Sequence, residues 1–139
     1  ADIWGMRESA PLDLMPAVVN FDVGLPIGSI GEFVQVGGQR LRHRWPNAIV
    51  LFFGHIGDSN LHLSVSIGPQ GADLIGEIDD IVYDTVRDWG GSISAEHGIG
   101  ILKRAYLGHS RSPAELDVMR RIKAALDPAG ILNPGKVLE

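Results

Sequence analysis

Between residues 48 and 67 a largely apolar run, AIVLFFGHI, a short polar turn, GDSN, and a strictly alternating stretch, LHLSVSI, follow one another. A period of two predicts an antiparallel hairpin with strands over 48–56 and 61–67. Val50, Phe52, Ile56, Leu61, Leu63, Val65 and Ile67 then share an apolar face, and Phe53, His55, His62, Ser64 and Ser66 share the opposite, mixed face. Upstream, residues 21–25 (FDVGL) form a short strand bounded by Pro26. Ile30, Phe33, Val34, Leu41 and Trp45 follow at helical spacing, across a Gly37-Gly38 pair expected to weaken or interrupt that helix. Downstream, Leu74, Ile75, Ile78, Ile81, Val82, Thr85, Val86 and Trp89 make a strong apolar stripe that stops at Gly90-Gly91. Residues 92–96 (SISAE) read as a last strand. A final helix opens at Ser112-Pro113 with Glu115 completing a capping box, carries Leu116, Met119, Ile122 and Leu126 inward, and stops at Asp127-Pro128.

The resulting order, β-α-β-β-α-β, predicts an α+β fold of the ferredoxin-like kind, an antiparallel sheet with helices on one face, plus a C-terminal helix. At 139 residues the chain has the length of one domain with a real core. Twelve Lys and Arg against 17 Asp and Glu leave a formal net charge of −5 with no basic stripe, which argues against nucleic acid as a partner. There is no cysteine, so any metal must be held by nitrogen and oxygen. The opening ADIWGMRESAPLD has no basic n-region, and nowhere do 18 apolar residues run together, so neither a secretion signal nor a membrane span is expected. These features suit a cytoplasmic protein. No GxGxxG or GxxxxGK[ST] stretch is present to cradle a nucleotide pyrophosphate.

Chemistry concentrates in the hairpin. If Asp58-Ser59 is a two-residue loop, Gly57 pairs with Asn60, Ile56 with Leu61, and His55 falls opposite His62. Two imidazoles so placed can reach one divalent ion, and Glu96 offers a hard oxygen donor as third ligand. His97 adds a group that titrates near neutrality. In an unbroken strand Glu96 and His97 would point to opposite faces, so joining them in one site requires the strand to end or bulge near Gly98. A hydrogen-bonded surface pair of histidines and an ordinary strand end are the plain alternatives, and the pattern alone does not decide between them. His43 and His109 read as surface residues.

Three stretches, GHIGDSNLHL at 54–63, GGSISAEHGIG at 90–100 and DPAGILNPGK at 127–136, resemble in order and spacing the C-terminal domain of FAD-linked oxidases of the vanillyl-alcohol oxidase type. WGMRES and FDVGLP match as well, so the resemblance covers nearly the whole chain. That group oxidises 2-hydroxy acids such as D-lactate, glycolate and D-2-hydroxyglutarate to 2-oxo acids by hydride transfer to flavin. The resemblance implies that His55, His62 and Glu96 hold a divalent metal, zinc or manganese, and that His97 takes the substrate hydroxyl proton. It further implies that Arg7 and Asn60 bind substrate and that Asn133 contacts FAD. On this reading residues 1–139 are a single domain, the C-terminal part of a longer enzyme. The FAD-binding domain would lie upstream as its partner, a homodimer is compatible, and any membrane association would be peripheral, through the electron acceptor.

Two positions depart from the family pattern. Ser59 stands where relatives carry glycine, which argues against a turn with positive φ there. Asn20 falls near where some relatives place a substrate-binding lysine, which argues against a dicarboxylate such as 2-hydroxyglutarate. Two rival functions are a small His-His-Glu zinc hydrolase, in which the metal would activate water, and a non-catalytic ferredoxin-like interaction module.

Overall fold

A computed structural model describes residues 15–138. Three strands form the sheet: β1 (Val19–Gly24), β2 (Ile49–His55) and β3 (Asn60–Ser66), antiparallel and in the order β1-β3-β2. Helices α1 (Ile30–Arg44) and α2 (Ile75–Asp88) follow β1 and β3, and α3 (Pro113–Leu126) comes last. The α+β class and the antiparallel sheet are as the sequence predicts. The expected fourth strand is reduced to one antiparallel bridge between Ser92 and Gly24 on the outer edge of β1. Gly91 permits that approach, since a Cβ there would lie 2.6 Å from the Gly24 carbonyl oxygen and 2.8 Å from Leu25.

Alternation decides what the sheet buries. Phe21 and Val23 of β1, Leu61, Leu63 and Val65 of β3 and Val50 of β2 point to one side and pack with Phe33 and Leu41 of α1 and Ile78, Val82 and Val86 of α2. Nearly all these side chains are removed from water, at roughly 1.5–3 kcal/mol each, which is what holds the helices to the sheet. Gly37-Gly38 does not interrupt α1. Both glycines are buried in mid-helix, where Gly37 faces Thr85 of α2 and Gly38 faces Phe52, so they serve close packing rather than a stop. Gly90, at φ +64°, is a helix stop as expected.

The hairpin register differs from expectation by two residues. His55 pairs with Asn60 and Phe53 with His62, because residues 56–59 form a 3₁₀ turn, Ile56–Asp58, closed by Ser59 in the left-handed region at φ 59°. Ser59 thus takes the conformation that its side chain was expected to disfavour. A shift of two preserves which face each residue occupies, so His55 and His62 still lie on one face, now as diagonal neighbours. Ile56 has left the strand and is exposed. The mixed face is not bare either: Ser64 and Ser66 are buried, Ser64 donating to Asn20 and Ser66 to the Pro16 carbonyl.

Helix α3 begins as predicted, with Ser112 and Glu115 exchanging the two hydrogen bonds of a capping box. Its apolar stripe, however, is not buried. Leu116 and Met119, beside the Leu107 segment, are half-covered, while Ile122 and Leu126 are exposed among the described residues. Among the described residues no helix is long and apolar enough to cross a membrane.

Candidate functional site

The mixed face converges on His62. Its ring lies 5.7 Å from that of His55 at 85°, 5.3 Å from Phe53, and 6.0 Å from that of His97, stacked at 27°. One ligand atom from each of His55, His62 and Glu96 can be chosen so that all three lie within 4.8 Å of one another. Two imidazoles and a carboxylate at that spacing are a donor set suited to a borderline divalent ion, so the residues present fit a metal.

Glu96 and His97 reach this face because the chain does not continue as a strand beyond Ser92. Residues 93–97 run through bends and end at Gly98, φ +74°, whose carbonyl accepts from the Ser94 hydroxyl. The condition set by the sequence, a strand ending near Gly98, is met by an earlier and more complete break.

The group that holds this loop is Asp22, which sequence reasoning missed. It sits in β1 directly opposite His62 and is fully buried. Its Oδ2 accepts from the main-chain N–H groups of Ala95, Glu96 and His97 at 3.0, 2.9 and 2.9 Å and from the Ser94 hydroxyl at 3.1 Å. Burial pushes the carboxyl pKa up, but the donors from His97, Glu96, Ala95 and Ser94 together outweigh it and bring it down to about 2. The Lys103 ammonium stands 3.8 Å from Oδ2 and donates to the Asp22 main-chain carbonyl. Burial lowers the Lys103 pKa, with Asp22 and Asp79 pulling it back up. The signal available in the sequence was an acidic residue inside an otherwise apolar strand, FDVGL, since a carboxylate rarely enters a core unpaired.

Asn60 is buried with both carboxamide atoms unpartnered, next to His55 in the ladder. Among the described residues neither atom finds a partner, which is unusual for a buried amide. Asn133 lies elsewhere, exposed at φ 49° in the tail and lining a surface hollow with Arg120, Lys123 and Asp127. Asp127 organises that tail by accepting from the Ile131 and Leu132 N–H groups and from Lys123. Arg7 falls outside the described residues. His43 is exposed, but His109 is not a plain surface residue: it is half-buried, bonded to Asp84 at 3.1 Å and edge-on to Tyr106.

Residues 1–137 match the family described as FAD linked oxidases, C-terminal domain. The chain belongs to this family. It is 41% identical over 144 residues to the D-2-hydroxyglutarate dehydrogenase of Stutzerimonas stutzeri (strain A1501), an alignment covering 98% of this chain and 31% of that protein. It is 39% identical over 138 residues to the mitochondrial D-2-hydroxyglutarate dehydrogenase of Danio rerio, covering 98% of this chain and 26% of the relative. For the Arabidopsis thaliana mitochondrial enzyme the identity is 40% over 141 residues, covering 99% and 24%. The chain therefore spans about a quarter to a third of the length of these curated relatives.

Proposed function

We propose that this chain is the substrate- and metal-binding domain of an FAD-dependent dehydrogenase that oxidises a 2-hydroxy acid to the 2-oxo acid. The observation that carries the reading is the convergence of His55, His62 and Glu96 within 4.8 Å, with His97 stacked on His62 beside them. Family membership supports the flavin chemistry, and the relatives' greater length supports an N-terminal domain that holds most of the FAD.

A divalent ion, when bound, supplies Lewis acidity that grips a carboxylate and acidifies an α-hydroxyl. FAD, when bound, supplies the hydride acceptor. The chain's own residues do the rest. His55, His62 and Glu96 hold the ion. His97, exposed on the open side of the cluster, takes the hydroxyl proton on its imidazole. Asn60, whose buried carboxamide has no partner among the described residues, and Arg7, whose guanidinium suits a carboxylate, would bind the substrate. Asn133 gives the flavin an edge contact.

The names of the relatives favour D-2-hydroxyglutarate as substrate, whereas the neutral Asn20, which is exposed and accepts from Ser64, favours a monocarboxylate such as D-lactate. Rapid-mixing measurement of flavin bleaching in the FAD-containing enzyme tests the proposal with both acids. His97→Asn is expected to slow flavin reduction by about 10²–10⁴ with metal content retained, and Glu96→Gln is expected to lose metal first. Parent-like flavin reduction by His97→Asn would assign the proton to another base.

A further inference from the structure

Among the described residues one oxygen of the buried Asp22 carboxylate has no hydrogen-bond partner: Oδ2 receives every donation from the 94–97 loop, and Oδ1 receives none. Leaving such an atom unpaired costs about 1–3 kcal/mol, more for a charged group, so a nearby donor has every reason to turn toward it. The loop N–H groups are already committed. Lys103 and the His97 Nδ1 stand nearest Oδ2, at 3.8 and 3.9 Å. The atom facing Oδ1 is Nδ1 of His62, at 3.9 Å, on the residue that the ladder places directly opposite Asp22. The gap is about 1 Å longer than a hydrogen bond, within reach of a small rotation of the ring.

We infer that Asp22 is a positioning residue: its Oδ1 accepts from Nδ1–H of His62 and fixes the tautomer in which Nε2 keeps its lone pair for the donor group shared with His55 and Glu96. The use of Nε2 rests on the metal reading above, whereas the tautomer does not. Imidazole ligands commonly donate their second N–H to a carboxylate, and removing that carboxylate typically weakens metal binding 10–100-fold. Here the same side chain also fixes the main chain of Glu96 and His97 through Oδ2, so one carboxylate sets two of the three donors and the base. Asp22 is not itself a ligand, although an oxygen of it lies within 4.8 Å of donor atoms of Glu96 and His97. Oδ2 already accepts three main-chain N–H groups and lies within reach of the Ser94 hydroxyl proton, which the Gly98 carbonyl shares, and the Lys103 cation beside it opposes a second positive charge.

Long-range ¹H–¹⁵N correlation spectra of the metal-free chain, followed to alkaline pH until the imidazole signals stop shifting, give the tautomer directly. The expected result is Nδ1–H at His62, lost or mixed in Asp22→Asn, with affinity for added Zn²⁺ by calorimetry falling about 10–100-fold in that variant. An Nε2–H tautomer in the unaltered chain overturns the inference whether or not any variant folds. Unchanged Zn²⁺ affinity in folded Asp22→Asn overturns it equally. If the unaltered chain shows Nδ1–H at His62 but binds no Zn²⁺, the metal reading falls and the orienting bond stands.

Discussion

At Ser59 and Gly54 the backbone sets how the two histidines meet. Ser59 stands at φ 59°, a conformation costing an L-residue about 1–2 kcal/mol. Ser59→Gly relieves that cost against a larger loss of chain entropy, so a net gain of about 0.5–1 kcal/mol is expected in urea unfolding. Gly54 is the opposite case. At φ +155°, a Cβ would lie 2.4 Å from the Asn60 carbonyl oxygen, so Gly54→Ala should open the hairpin beside His55, cost about 1–3 kcal/mol and disturb the His55 and His62 imidazole resonances. His55 and His62 were legible because a period of two survives a register shift of two. Asp22 was not, since an alternation pattern records that a residue faces the mixed side and says nothing of three N–H groups arriving from 73 residues or more along the chain.

Among the elements, helices α1 and α2 were legible from their stripes because both stripes are buried, whereas the last strand and α3 were read from local pattern alone. Ser92 makes one bridge and the chain then turns to Asp22, so a tertiary carboxylate outcompetes the ladder. For α3, the exposed Ile122 and Leu126 predict that Ile122→Ser changes stability by no more than about 0.5 kcal/mol, against about 2–5 kcal/mol for Ile78→Ala in the core, both measured by thermal unfolding of this chain. Helix α2 also carries Asp79, whose pKa is pushed up to about 6 by burial and by neighbouring Asp80, with Lys103 opposing. A raised carboxyl pKa favours folding while the group is protonated, and that contribution is lost as pH rises from about 4 through 6. Asp79→Asn should therefore stabilise the chain above pH 6, by about 1–2 kcal/mol after allowance for solvent screening, and change little at pH 4.

For the molecule as a whole, the sheet divides the labour: one face binds the helices and the other gathers His55, His62, Glu96 and His97 around Asp22. In the proposed function His55, His62 and Glu96 hold one divalent ion. Zinc-edge X-ray absorption on the Zn²⁺-loaded chain addresses it at the level of single ligands. The account predicts two imidazole nitrogens and a carboxylate oxygen at about 2.0–2.2 Å, one imidazole fewer in His62→Ala, and an unchanged shell in His97→Asn. A zinc shell of water alone, or one that keeps both imidazoles after His62→Ala, would contradict it.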